Sequence, residues 1–147
     1  MFLEGIIAIS GQPGLYKKVS QAKNSIIVES IETGKRMPAF SASKLSSLQD
    51  VAIYTDDKEK PLADVLSAAF EKASGFAELT HKSSERELLS WFEEILPEYD
   101  REKVYVSDIR KVLHWFNILA KANILTSESI EAYRKELEES EKQEGAE

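Results

Sequence analysis

Two kinds of apolar spacing divide the chain. Up to about residue 55 the apolar residues come in short runs broken by turn-forming residues, and beyond residue 60 they recur every three or four positions. The first spacing predicts β-strands and the second amphipathic helices. The runs EGIIAISG, LYKKVS, IIVESI, KRMPAF and DVAIYT read as five short strands. Between them Pro13-Gly14, the segment QAKNS and Thr33-Gly34 read as tight turns, because proline presets φ and glycine accepts positive φ. Pro38 has no amide hydrogen for a ladder, so its strand is expected at a sheet edge or at a bulge. SKLSSL, with Leu45 and Leu48 three apart, predicts one helical turn. The economical closure is a small, strongly bent antiparallel barrel of the SH3-like type.

The helical spacing starts at KPLADVLSAAFEKASG, where Leu62, Val65, Leu66, Ala69 and Phe70 form one stripe, with Pro61 at its start and Gly75 at its stop. This helix is expected to lie over the barrel or bridge the two halves. GFAELTHKSS reads as a linker. Ser84-Glu85-Arg86-Glu87 is a capping box, followed by Leu88, Leu89, Phe92, Ile95 and Leu96 on one face and by Pro97 as a stop. A connection with a short extended piece over 104–106 leads to a further helix, capped by Ser107 or Asp108. Its stripe is Ile109, Val112, Leu113, Phe116, Leu119 and Ala120, with Phe116 and Leu113 at the centre of the buried face, and Asn123 can end it. Thr126 caps a last helix carrying Ile130, Tyr133 and Leu137. The expected architecture is α+β: an N-terminal small SH3-like antiparallel β-barrel with its following helix over 1–74, a C-terminal α-helical domain over 82–140, and a disordered acidic tail over 141–147.

Charge sharpens this division. The 147-residue chain has a formal net charge of −7. Residues 1–57 hold six basic and six acidic residues, whereas residues 81–147 hold ten basic and sixteen acidic ones. A neutral front and an acidic back suggest two units with different surfaces. The absence of cysteine excludes disulfides and thiolate zinc sites and fits a reducing compartment. No apolar run reaches the roughly 20 residues a membrane span needs, and the apolar start, with Glu4 and no basic leader, reads as a strand. The expectation is a cytoplasmic protein.

Candidate chemistry is sparse. The two histidines, His81 in the linker and His114 in a helix, join no ligand pattern, and no metal or cofactor is expected. Glu93-Glu94 and Asp56-Asp57 are adjacent pairs whose members do not face one another in regular structure. SGQPG lacks the lysine and strand–helix context of a phosphate cradle, and no serine lies in a nucleophile elbow. Two helices joined by a tight turn, from Ser107 to Lys135, resemble a helix-turn-helix in outline. The second helix, however, carries Glu128, Glu131, Glu136, Glu138 and Glu139 against Arg134 and Lys135, so phosphate repulsion opposes DNA reading. What remains is a cluster of Tyr16, Lys17, Lys18, Lys35, Arg36 and Phe40, because small barrels bind through aromatic and basic residues on strands and loops. The competing reading is that these lysines only guard a sheet edge. In a regular strand Lys35 and Arg36 point to opposite faces, so a turn or a Pro38-induced bulge is expected to rotate them. Trp115 flanks the apolar stripe of its helix and is a candidate partner contact; with Trp91 it otherwise reads as core or interface.

GIIAISGQPGLYKKVSQAKNSIIVES with KRMPAFSASKLSSLQDVAIYTDD, and LPEYDREKVYVSDIRKVLHWFNIL after it, resemble the two halves of a bacterial family described only as a domain of unknown function. The resemblance runs to about Leu125. It implies a small β-barrel followed by a helical domain and carries no activity or catalytic residues. The functional expectation is therefore a non-enzymatic adaptor or protein-interaction module. The alternative is an RNA- or ribosome-associated factor using the basic cluster of the barrel. An enzyme with an unrecognised site ranks last.

Overall fold

The computed structural model describes residues 1–12, 14–40, 44–72 and 79–145. The strands are β1 (Ile6–Ile9), β2 (Tyr16–Gln21), β3 (Ser25–Ser30), β4 (Arg36–Phe40) and β5 (Leu45–Ser47). They form one antiparallel sheet in the order β4-β3-β2-β1-β5. Consecutive hairpins build four of the strands, and β5 returns beside β1. Gly34, with φ of +75°, sits at the β3–β4 turn as its sequence implies. Gly14 is held more tightly: its φ is +92°, and an added Cβ would come within 2.8 Å of the Glu32 carboxylate. Pro13 and Gly75, expected in a turn and at a helix stop, lie outside the described residues.

The expected barrel resolves into an open sheet. Among the described residues no ladder joins β4 to β5. The sheet is nonetheless strongly curved, since Leu45 of β5 packs into the same small cluster as Met37 and Ala39 of the opposite edge. Pro38 lies on edge strand β4, as its missing donor requires. The β3–β4 register is regular around it. The irregularity falls on β2, between Lys18 and Ser20.

Two segments differ from the expected pattern. The helical turn foreseen over SKLSSL comes later, as a 3-10 turn at Leu48–Asp50, and Leu45–Ser47 is the fifth strand. DVAIYT supplies β6 (Ala52–Tyr54), which pairs with β7 (Glu59–Pro61) as a separate hairpin. Short apolar runs fit a helical turn or a strand equally well, and the neighbour that completes the hydrogen bonding decides between them.

The helices are α1 (Leu62–Lys72), α2 (Glu85–Ile95), α3 (Val106–Lys121) and α4 (Ser127–Gly145). The Ser84–Glu87 capping box forms as expected, with Glu87 N donating to Ser84 Oγ at 3.2 Å and Ser84 N to Glu87 Oε1 at 3.2 Å. The cap of α3 is shifted. Tyr105 is the N-cap, and Asp108 accepts its amide at 3.0 Å. The extended piece expected over 104–106 lies instead at Tyr99, which bridges to Thr55. Asn123, with φ of +59°, ends α3, and Thr126 Oγ1 accepts the amide of Ser129 at the start of α4. The α4 helix continues to Gly145, through most of the segment expected as a tail.

One apolar cluster joins Leu3, Ile6 and Leu15 to α1 (Leu62, Leu66), α2 (Leu88, Trp91, Phe92), α3 (Ile109, Leu113) and Ile130 and Tyr133 of α4. Trp91 and Phe92 are buried at its centre, Leu113 is buried, and Phe116 is only partly buried, its ring meeting Trp91 edge-on at 6.1 Å. Tyr133 secures α4 by donating to Asp64 of α1 at 2.7 Å. Among the described residues no helix is long and apolar enough to cross a membrane.

Candidate functional site

Helix α3 has two faces. Ile109, Val112 and Leu113 go into the core, which turns Ser107, Arg110, Lys111, His114 and Trp115 outward at three- and four-residue spacing. This second stripe forms one wall of a cleft of about 670 Å³. The opposite wall is the end of β1 with residues that follow it, Ala8 to Gln12 and Gly14, together with Ser46 and Val51.

The linker before α2 is strapped along α3. Arg110 Nη1 donates to the carbonyls of His81 and Ser83, the latter at 3.0 Å, and Asn117 Nδ2 donates to the carbonyl of Leu79 at 3.0 Å. These bonds bring His81 against His114, ring centroids 4.3 Å apart and planes tilted by 57°. Burial, and next the neighbouring His81, push the His114 pKa below its ordinary value; Glu32 pulls it the other way without offsetting them. At neutral pH His114 is thus biased toward the uncharged form.

Among the described residues the lining includes Arg110, Lys111, His81 and His114 and no carboxylate. Lys111 is exposed and makes no ion pair among them. Trp115 and Val51 contribute apolar surface at the cleft and also border a smaller groove of about 190 Å³ beside Tyr54 and Val104. Lys103 lies over the Tyr54 ring at 5.1 Å. Among the described residues no group of three or more potential ligands could hold a metal ion.

The basic cluster read from the sequence is dispersed. The register aligns Lys17, Glu29 and Arg36 in one row across three strands, with Arg36 Nε 3.2 Å from Glu29 Oε1. A carboxylate therefore sits between the two cations. Lys18 shares the other face with Tyr16. The Tyr16 side chain is buried and so takes no part in a surface. Lys35 lies in the turn ahead of β4, so it and Arg36 are both exposed without a Pro38 bulge. Phe40 is exposed at the far end of β4, beside the β2–β3 turn. Of the expected residues, Trp115 alone reaches the cleft.

His81, His114, Arg110 and Lys111 were not singled out from the sequence as a binding group. A signal did exist, in the polar stripe on α3 opposite its apolar one. His81 had none, because its place depends on hydrogen bonds from residues about thirty positions later.

The geometry defines a class: a mixed α+β protein in which an antiparallel sheet and a helical layer meet at an open, cation-rich cleft. The model for Domain of unknown function (DUF5606) matches residues 3–48, and that for Domain of unknown function (DUF6852) matches residues 51–119. The chain belongs to this two-part family. The seam between the two matches falls at the 3-10 turn, so β6, β7 and α1 go with the helical part. A solution NMR structure of a protein from Bacteroides vulgatus is 42% identical; the match covers 84% of this chain and 89% of that one, with a TM-score of 0.69. No functionally curated protein matches.

Proposed function

We propose that the protein is a non-enzymatic interaction module, and that the cleft between the β1–β2 turn and α3 takes an acidic segment of a partner protein. The observation that carries this reading is the lining: four basic or imidazole side chains and an indole, with no carboxylate among the described residues. Charge complementarity of this kind selects a partner and speeds its encounter. Trp115 offers the apolar contact that anchors such a segment. A bacterial cytoplasmic setting suits the lack of cysteine. In this reading the sheet is a partly open SH3-like barrel; its strand order and its curvature support that.

Lys111→Glu reverses the exposed charge without touching the core. A tagged wild-type protein is expected to retain a protein partner from native lysate through nuclease treatment, and the folded Lys111→Glu variant to lose it. Retention of every partner at unchanged affinity by the variant overturns the reading. The alternative, RNA or a ribosome held through Lys17, Lys18, Lys35 and Arg36, has less support because Glu29 lies between two of those cations. Loss of the partner on nuclease treatment would favour it.

A further inference from the structure

We infer that the cleft is proton-linked: entry of an acidic peptide segment draws a proton onto the His81–His114 pair, so the segment binds more tightly as pH falls from the mildly alkaline to the mildly acidic. This rests on the proposed function and adds to it the regulation of the same site.

The argument starts from a coincidence of place. The chain has two histidines, 33 positions apart, and the fold packs them against each other in the wall of this cleft. Histidine is the side chain whose ordinary pKa falls in the physiological range, so no other side chain at its ordinary pKa changes charge there. Among the described residues, the groups facing the pair from each packed element are few. Arg110 and Lys111 come from α3, and Glu32 from the β3–β4 turn behind Gly14; the β1–β2 turn contributes no ionisable residue.

In the free protein, charging His114 is opposed. Burial first, and then the neighbouring His81, lowers the pKa of His114, and Glu32 only partly compensates. Arg110 and Lys111 line the same cleft, so among the described residues the lining adds positive charge and no carboxylate. A carboxylate-bearing segment reverses the balance by supplying negative charge where the imidazoles lie. The proton is then held more strongly in the complex than in the free protein. Linkage requires the reciprocal effect, that protonation tightens binding. Arg110 is committed to the carbonyls of His81 and Ser83, so the strap that carries His81 stays in register with α3 while the pair titrates.

The test uses the full chain and a fluorescein-labelled Glu-Glu-Leu-Glu-Glu peptide, with binding followed by anisotropy at constant ionic strength. Wild type is expected to bind about ten-fold more tightly near pH 6 than near pH 8. Calorimetry in two buffers of different ionisation enthalpy should find net proton uptake near pH 7. The double variant His81→Gln/His114→Gln is expected to lose most of that pH dependence, and Lys111→Glu to lose binding at both pH values. Independently of any variant, NMR titration of the two imidazoles in wild type should show their pKa values rising when peptide is present. Binding that depends on Lys111 but not on pH, or imidazole pKa values unmoved by peptide, overturns the proton linkage and leaves the interaction module standing. Equal pH dependence in the double variant also overturns it. Absence of Lys111-dependent peptide binding at either pH removes the acidic-segment reading and the inference with it. The same holds if labelled oligouridylate binds in the peptide's place.

Discussion

The two faces of the sheet are held by cores of very different size. One face, through Ile6, joins the large cluster that continues through all four helices. The other encloses Ile9, Tyr16, Val28 and Ala39 as its buried members, with Ile7, Ile26, Met37 and Leu45 partly covered around them. Strand β1 belongs to both, since alternation sends Ile6 one way and Ile9 the other. The comparison teaches where cooperativity should reside. β1 and the helices share one core and should unfold together. The β2–β3–β4 end rests on a few apolar side chains and should open locally at lower cost.

The largest effect is expected in the shared core. Phe92 is fully buried and meets Tyr99 at 5.0 Å between ring centroids. Phe92→Ala should destabilise by about 3–5 kcal/mol, lowering the urea midpoint read by far-UV circular dichroism for sheet and helices alike. Separate transitions for the two would break the idea of one core.

Val28→Ala probes the small cluster. It removes two buried carbons and should cost about 1–2 kcal/mol. Native-state hydrogen exchange should quicken in β2, β3 and β4 and stay nearly unchanged in α2 and α3. A uniform rise across the molecule would show that the two faces are not separable.

A smaller effect is expected at a helix end that touches neither core. Ser84→Ala removes the side-chain half of the capping box and should cost about 1 kcal/mol. The strap over 79–83 adjoins this cap, so exchange at Leu79 to Ser83 should quicken first if the strap depends on α2 for its position.

The smallest effect concerns the seam where the sheet meets α3. The folded pKa of His114 lies below its ordinary value of about 6.5. As pH falls below that value the unfolded chain takes up the proton first, so this group lowers stability, progressively, until its folded pKa is passed. Urea midpoints should be slightly lower near pH 5.5 than near pH 7.5, and His114→Gln should remove part of that difference. An unchanged pH dependence in the variant would show that His114 sits in a solvated environment.

Much of the architecture was legible because it is local. The Ser84–Glu87 box, the Asn123 stop, the Thr126 cap and the stripes of α1, α2 and α3 depend on residues within a turn or two of one another. So do the three hairpins from β1 to β4. The misreadings fell where the choice of pairing partner, distant or near, decides what a short apolar run becomes. Leu45–Ser47 became a strand because β1, far back in the chain, was free to pair with it. Ala52–Tyr54 left the sheet because Glu59–Pro61 offered a nearer partner. The candidate site divides the same way. The amino-acid order specified that α3 has a polar face containing Lys111, His114 and Trp115. It took the folded chain to set that face against the β1–β2 turn, to hold His81 over His114 with Arg110 and Asn117, and to place Glu29 between Lys17 and Arg36. Periodicity is a property of one segment, whereas charge neighbours depend on which segments meet. Side chains 33 residues apart therefore acquire a shared electrostatic environment only when the whole chain has packed.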